Sequence, residues 1–163
     1  MAVKVVIHTS ASKFGNAALI TLWHSLPPPS GRGWSTIGYG YVILNGWLSK
    51  DKFHPSFNGH IETGRPIDGD RFLEYDEHGA HVAGHNDSVG ICLIGESGSY
   101  TTEQIATLRE LIDRLRLQYG EIEVYQHSDF DKKKPYCAGL PEGIMNDLRQ
   151  IRPMTYKEKR KWS

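Results

Sequence analysis

The sequence predicts a single α/β domain with a central mixed β-sheet flanked by helices. Apolar, β-branched runs typical of buried strands alternate along the chain with segments of helical periodicity. A chain of 163 residues is long enough for one compact core. Its two cysteines are too few for a disulfide scaffold. Cys92 lies in an apolar run, where cysteine behaves as a small core residue.

The strongest helix prediction is 102–119, where apolar residues recur at steps of three and four. Thr101 and Gln104 match a capping box before it, and Gly120 suits its C-terminal cap. Pro27 and its two following prolines end an earlier helical pattern. The predicted elements are, in chain order, a strand at 3–7, a helix at 16–26, and strands at 37–44, 60–66 and 88–95. They continue with the helix at 102–119, a strand at 121–126 and a helix at 141–151.

The segment between the second strand and residue 66 is less regular. Asn45-Gly46 is a strong hairpin turn signal, so we expect Trp47 and the following residues to return antiparallel. Residues 49–59 are expected to form a loop or a hairpin extension, and 68–77 a surface loop or short helix.

Charge and hydropathy exclude several classes of function. The 19 basic residues balance the 19 acidic ones, so the protein has no net positive charge that would attract nucleic acid. No apolar run approaches the roughly 20 residues that span a bilayer, so stable membrane insertion is not expected. The N-terminus lacks the pattern of a signal peptide. We therefore expect synthesis in the cytoplasm and a monomeric protein.

Two of the eight histidines directly follow strand-like runs. His8 directly follows the first of these runs and His127 follows the run at 121–126, while Cys137 comes ten residues after His127. If the two strands are neighbours, both imidazoles emerge at one sheet edge, and the cysteine can reach the same point. Two histidines and a thiolate form a zinc site with an open position. Spacing alone equally allows a buried free cysteine and two incidental histidines.

Several motifs occur in an order that resembles a known family. They are Val-Val-Ile-His-Thr-Ser-Ala around His8, Trp-Ser-Thr-Ile-Gly-Tyr ending at Tyr39, the segment 79–93, and Tyr-Thr-Thr-Glu-Gln before the long helix. Over residues 3–150 the chain resembles the type-2 N-acetylmuramoyl-L-alanine amidases. This family is shared by bacteriophage lysozyme-type endolysins and animal peptidoglycan recognition proteins.

The resemblance implies a Zn²⁺ site made by His8, His127 and Cys137. It also implies that Tyr39 and a lysine shortly before the cysteine stabilise the oxyanion of an amide hydrolysis. The family lysine maps onto Lys134, with Lys133 as the alternative, because three lysines precede Pro135-Tyr136 here. The resemblance further places His81 and Asn86 beside the substrate groove, although a turn that merely connects two elements fits them equally well.

The function implied by the resemblance is hydrolysis of the bond between N-acetylmuramic acid and L-alanine in bacterial peptidoglycan. A cysteine at position 137 favours a lytic phage endolysin, which would need a holin-type partner to reach the cell wall. The alternatives are a bacterial wall-turnover or secreted effector amidase and a non-catalytic peptidoglycan-binding or regulatory module. The presence of Cys137 argues against the last of these.

The sequence also predicts the domain boundaries. Residues 1–153 are predicted to form the catalytic domain, and 154–163 a basic C-terminal tail ending near Trp162. Such a run is commonly a frayed, solvated terminus. It could also bind anionic cell-envelope surfaces.

Overall fold

The computed structural model describes residues 2–161 and contains one five-stranded sheet. The strands are β1 (Val3–Thr9), β2 (Tyr41–Ser49), β3 (Lys52–Thr63), β4 (Ser88–Leu93) and β5 (Ile122–Gln126). Their order across the sheet is β3-β2-β4-β1-β5. β1 runs parallel to both β4 and β5, and β2 runs parallel to β4 but antiparallel to β3. The predicted mixed sheet is confirmed.

Helices cover both faces of the sheet. They are α1 (Ala17–Ser25), α2 (Thr102–Tyr119), α3 (Glu142–Arg149) and α4 (Tyr156–Lys161), with short 3₁₀ turns at Tyr75–Glu77 and His127–Asp129. Leu108 and Leu111 of α2 and Met145 of α3 belong to the apolar core on one face. Ile20 of α1 belongs to a smaller core on the other face. The chain is therefore a three-layer α/β structure, and the prediction of a sheet flanked by helices is confirmed.

The side chains of β1 alternate between the two faces of the sheet, and this alternation determines the face on which His8 lies. Val5 and Ile7 are fully buried in the core under α2. Because successive side chains of a strand point to opposite faces, His8 lies on the face that α1 covers. On the neighbouring strand, Cys92 pairs with His8 and is buried in the smaller core, which confirms its interpretation as a core residue.

The long helix has the predicted bounds. Thr101 and Gln104 form the predicted capping box, and Gly120 follows α2 with φ +83°. The strands at 3–7, 88–95 and 121–126 and the helices at 16–26 and 141–151 are confirmed with shifts of one or two residues at their ends.

The predicted hairpin turn at Asn45-Gly46 is wrong. β2 continues to Ser49, and the chain reverses only before Lys52. The ladder with β3 shifts register on both sides of Asn45, and Gly46 has φ +93°, as in a β-bulge. Asn45 uses its side chain to accept from the Trp47 amide and to donate to the Lys13 carbonyl. The glycine thus permits a bulge within a continuous strand.

Of the two alternatives expected for 49–59, the hairpin extension is confirmed and the loop is wrong. Most of this segment forms the first half of β3, and the strand predicted at 60–66 is its second half, which ends at Thr63. Much of this edge strand is solvent-exposed and it contains Pro55, so it lacks the apolar pattern of a buried strand. Pairing with β2 determines its conformation.

The C-terminal segment is folded against the domain as far as it is described. Arg152 lies 2.9 Å from the buried carboxylate of Asp113 on α2 and 3.1 Å from Glu158 on α4. Trp162 and Ser163 of the predicted tail lie outside the described residues. Within residues 2–161, no helix is both long and apolar enough to cross a membrane.

Gln104 joins α2 to the sheet, and its replacement tests that connection. Its side-chain amide donates to the carbonyls of Ile43 (3.0 Å) and Ile94 (2.8 Å), while its oxygen accepts from Thr101. We expect Gln104→Ala to lower the free energy of unfolding by roughly 2 to 4 kcal/mol, because buried polar groups lose their partners. Urea denaturation measures this.

The matched control is Gln118→Ala on the same helix. The Gln118 amide nitrogen is buried and has no hydrogen-bond partner among the described residues, so its removal breaks no hydrogen bond of that atom and should lower stability by less than about 1 kcal/mol. Equal losses for the two variants would contradict the role assigned to Gln104.

Candidate metal centre

His8 and His127 meet because β1 and β5 are adjacent parallel strands. Ile7 pairs with Gln126, so the next residue on each strand is a histidine at the same edge of the sheet. The two ring centroids are 4.7 Å apart. Sequence spacing did not show whether these two strands are neighbours, and in the fold they are.

Cys137 reaches this edge on a loop that is held at its base. Gln126 donates to the Leu140 carbonyl and accepts from the Leu140 amide, closing the loop between them. Within it, the Cys137 carbonyl accepts from the Ser128 amide at 2.7 Å. The sulfur lies 3.7 Å from Nδ1 of His8 and 3.3 Å from the Thr9 amide, which points its N–H at it.

The three side chains form a group that could bind a metal ion. One candidate ligand atom from each of His8, His127 and Cys137 lies within 4.8 Å of the others. His8 is 1% exposed, and the His127 side chain 13%. A second group, made by Asp68, Asp70 and Glu74, is exposed and has only carboxylates. The first group has the mixed nitrogen and sulfur donors of a zinc site.

Burial keeps both imidazoles in the form that binds a metal. Desolvation is the main cause that lowers the pKa of His8 far below its usual value, and it also lowers the pKa of His127. Each ring is therefore neutral at neutral pH and has one free lone pair. Burial raises the pKa of the Cys137 thiol, opposed by the Thr9 N–H and the positive charge of Lys134. A cation bound there would have to displace the thiol proton.

These groups lie in a cleft of about 550 Å³ that also contains Tyr39, His81, Asp131 and Lys134. Lys133 is not among the lining residues, and its amide is bonded to the Asp131 side chain. A larger cavity of about 760 Å³, lined by Lys13, Trp47 and Lys50, contains none of the candidate ligands. The smaller cleft is therefore the candidate functional site.

Tyr39 lies beside the candidate ligands. Its ring centroid is 5.0 Å from that of His8. Desolvation raises its pKa well above the usual value, and the Cys92 and Cys137 thiols add to the effect. The hydroxyl consequently stays protonated and can donate a hydrogen bond.

The structure places the two predicted substrate contacts differently. His81 lines the cleft, but its ring nitrogens lie within hydrogen-bond distance of His8 and Ser88. Asn86 is not a cleft-lining residue, and its side chain accepts from the amides of His81 and Val82. Contact of either residue with a substrate stays a prediction.

Sequence reasoning missed several residues of the site. Thr9 and Gln126 each adjoin a candidate ligand in sequence, and that adjacency was the available signal. Arg32 and Trp34 line the cleft, with the guanidinium 4.9 Å from the Trp34 ring centroid. They belong to a glycine-containing loop whose position no periodicity predicts.

Comparison with known proteins gives relatives at low identity. No family model matches the chain. It is 28% identical over 141 residues to an endolysin of Klebsiella phage KP32, covering 80% of this chain and 77% of that endolysin. It superposes on the N-acetylmuramoyl-L-alanine amidase LysC from Clostridium intestinale with a TM-score of 0.68 and 24% identity, covering 93% and 87% of the two chains. It superposes on a bumblebee PGRP-SA with a TM-score of 0.66 and 22% identity, covering 94% of this chain and 86% of that protein.

His24 predicts a loss of stability in acid. It lies in the cleft wall, accepts from the Gly38 amide, and has its pKa lowered to about 4, mainly by burial and then by Arg32 and Arg65. The unfolded chain takes up this proton near pH 6.5. The contribution of neutral His24 is therefore complete above that pH and is lost as the pH falls towards 4.

We expect His24→Asn, whose amide oxygen can still accept from Gly38, to weaken the pH dependence of stability between pH 6.5 and 4. Urea denaturation of zinc-depleted protein across this range measures it. An exposed histidine, His60, provides the control variant His60→Asn. A slope that responds equally to both substitutions would contradict the assignment to His24.

Proposed function

We propose that this chain, which has the fold of the type-2 amidases and peptidoglycan recognition proteins, is a zinc-dependent N-acetylmuramoyl-L-alanine amidase acting as a phage endolysin. The observation that carries the proposal is the convergence of His8, His127 and Cys137 in an accessible cleft. A fold alone does not determine an activity. The proposal therefore depends on this group of side chains.

The donor set fits Zn²⁺. Two neutral imidazoles and one thiolate are common zinc ligands, and three protein ligands leave a position open to water or substrate. When bound, zinc lowers the pKa of a water molecule and polarises the scissile carbonyl. His8, His127 and Cys137 would hold it there.

The remaining cleft residues would act on the substrate. Tyr39 stays protonated, so its hydroxyl can donate to the oxygen that gains charge as the amide is attacked. Lys134 lies in the same cleft and brings a positive charge to it. Together they would stabilise a tetrahedral oxyanion in a partly water-excluded site.

The substrate proposed is bacterial peptidoglycan, cut between N-acetylmuramic acid and L-alanine. The similarity to an endolysin and to an N-acetylmuramoyl-L-alanine amidase supports this choice. As a phage endolysin, the protein would reach the wall with the help of a holin-type partner. The assembled His-His-Cys group favours hydrolysis over a purely binding role.

Replacing the candidate thiolate tests the metal centre. We expect Cys137→Ser to lower zinc affinity by more than about 100-fold, beyond the usual effect of losing an outer hydrogen-bond partner. Lysis of purified cell walls should fall to background. Metal analysis and turbidity assays measure these effects, and the products of the wild type should carry new N-terminal alanine.

The control is Cys92→Ala, at the other cysteine, which lies in the core. It should retain zinc despite some loss of stability, and any change in its lytic activity would report the lost contact of Cys92 with Tyr39. New reducing sugar ends in place of free alanine, or full lysis by Cys137→Ser, would refute the proposed reaction.

The adjacent lysines provide a second test. We expect Lys134→Met to reduce the hydrolysis rate by about 100-fold, since loss of one oxyanion-stabilising group has an effect of this order. Zinc content should be unchanged. Lys133→Met, whose side chain lies outside the cleft lining, should hydrolyse at nearly the wild-type rate. Steady-state kinetics on a soluble muramyl-peptide measure both, and the reverse order would assign the role to Lys133.

A further inference from the structure

A chain of hydrogen bonds extends from the candidate metal centre into the protein. Nε2 of His8 lies 2.7 Å from Nδ1 of His81. Nε2 of His81 lies 3.1 Å from the Ser88 hydroxyl and 3.4 Å from the Ser88 carbonyl. The Ser88 hydroxyl lies 2.6 Å from the His85 carbonyl. This series of hydrogen bonds ends at the carbonyl groups of His85 and Ser88, which can only accept a hydrogen bond.

The carbonyl acceptor at the end of this series determines which atom donates in each hydrogen bond. The His85 carbonyl can only accept, so the Ser88 hydroxyl donates its one proton to it. The Ser88 oxygen must then accept from His81, which places the proton of His81 on Nε2. Nδ1 of the neutral His81 ring is consequently an acceptor, and Nε2 of His8 donates to it. This leaves a lone pair on Nδ1 of His8, the atom 3.7 Å from the Cys137 sulfur.

The backbone around His81 is shaped to hold its ring. A Cβ added to Gly79 would lie 2.0 Å from a carbon of this ring, and one added to Gly90 would lie 3.0 Å from another. Asn86 fixes the loop by accepting from the backbone amides of His81 and Val82. Ser88, at the start of β4, is fully buried. The segment 79–90 therefore encloses the His81 ring from several sides.

We infer that His81 is a positioning residue, which holds His8 in the tautomer that presents Nδ1 to the metal. The inference rests on the proposed zinc function and adds to it a residue that does not itself bind the ion. It also gives a physical reason for the pattern of small and polar residues in 79–90. A ligating histidine whose other nitrogen donates to a fixed acceptor binds metal more tightly.

The tautomer can be measured without zinc. In long-range ¹H–¹⁵N spectra of EDTA-treated, histidine-labelled protein near pH 7.5, we expect both His8 and His81 to be protonated on Nε2. Signals are assigned by their loss in His8→Asn and His81→Asn. Protonation of His8 on Nδ1 would overturn the inference, whether or not the protein binds zinc.

Zinc affinity tests the consequence. Competition with a chromogenic chelator should show about 10- to 100-fold weaker binding for His81→Phe, the range typical of a lost outer hydrogen-bond partner. His81→Asn should recover most of this loss, because its amide oxygen can occupy the position of Nδ1. His85→Phe is the matched control, since that neighbouring ring stacks on Phe130 at 4.2 Å instead.

Circular dichroism and thermal melts of every variant separate misfolding from a specific effect. Wild-type affinity in folded His81→Phe, or equal weakening in His81→Asn and His81→Phe, would overturn the positioning role alone. A wild-type protein that binds no zinc would instead refute the proposed function, and the tautomer measurement would still decide the hydrogen-bond chain.

Discussion

The candidate site depends on the parallel pairing of β1 with the strands on its two sides. β5 leads into His127 at the edge where His8 lies near the end of β1, and β4 carries Ser88 and Cys92 on the other side of β1. Because β1 lies inside the sheet, its backbone polar groups pair with strands on both sides. A change in strand order would separate the two histidines without altering any local element.

The position of Cys137 depends on hydrogen bonds of its loop and not on strand pairing. Its loop has little regular structure beyond a 3₁₀ turn, and its position follows from hydrogen bonds at its base and within it, such as the Gln126–Leu140 pair. Burial also raises the pKa of the thiol, so the site without a bound cation favours the protonated form. Metal binding would therefore release a proton and would couple to the order of this loop.

The sequence predicted elements well where one physical cause dominates. α2 has an apolar stripe, a capping box and a terminal glycine that agree, and its bounds were predicted without error. The prediction from sequence failed at Asn45-Gly46, because the same dipeptide suits both a tight turn and a bulge. Pairing with β3 selected the bulge. The exposed β3 itself carries too weak an apolar pattern to be predicted as one strand.

The sequence by itself determined the class of fold and the residue types able to form a metal centre, because periodicity and strand ends are local properties. Only the tertiary structure decided that His8, His127 and Cys137 converge and that Lys134, not Lys133, lines the cleft. It also placed His81 behind His8. These relations join residues up to 129 positions apart, and they depend on strand order and loop closure, which no local pattern specifies.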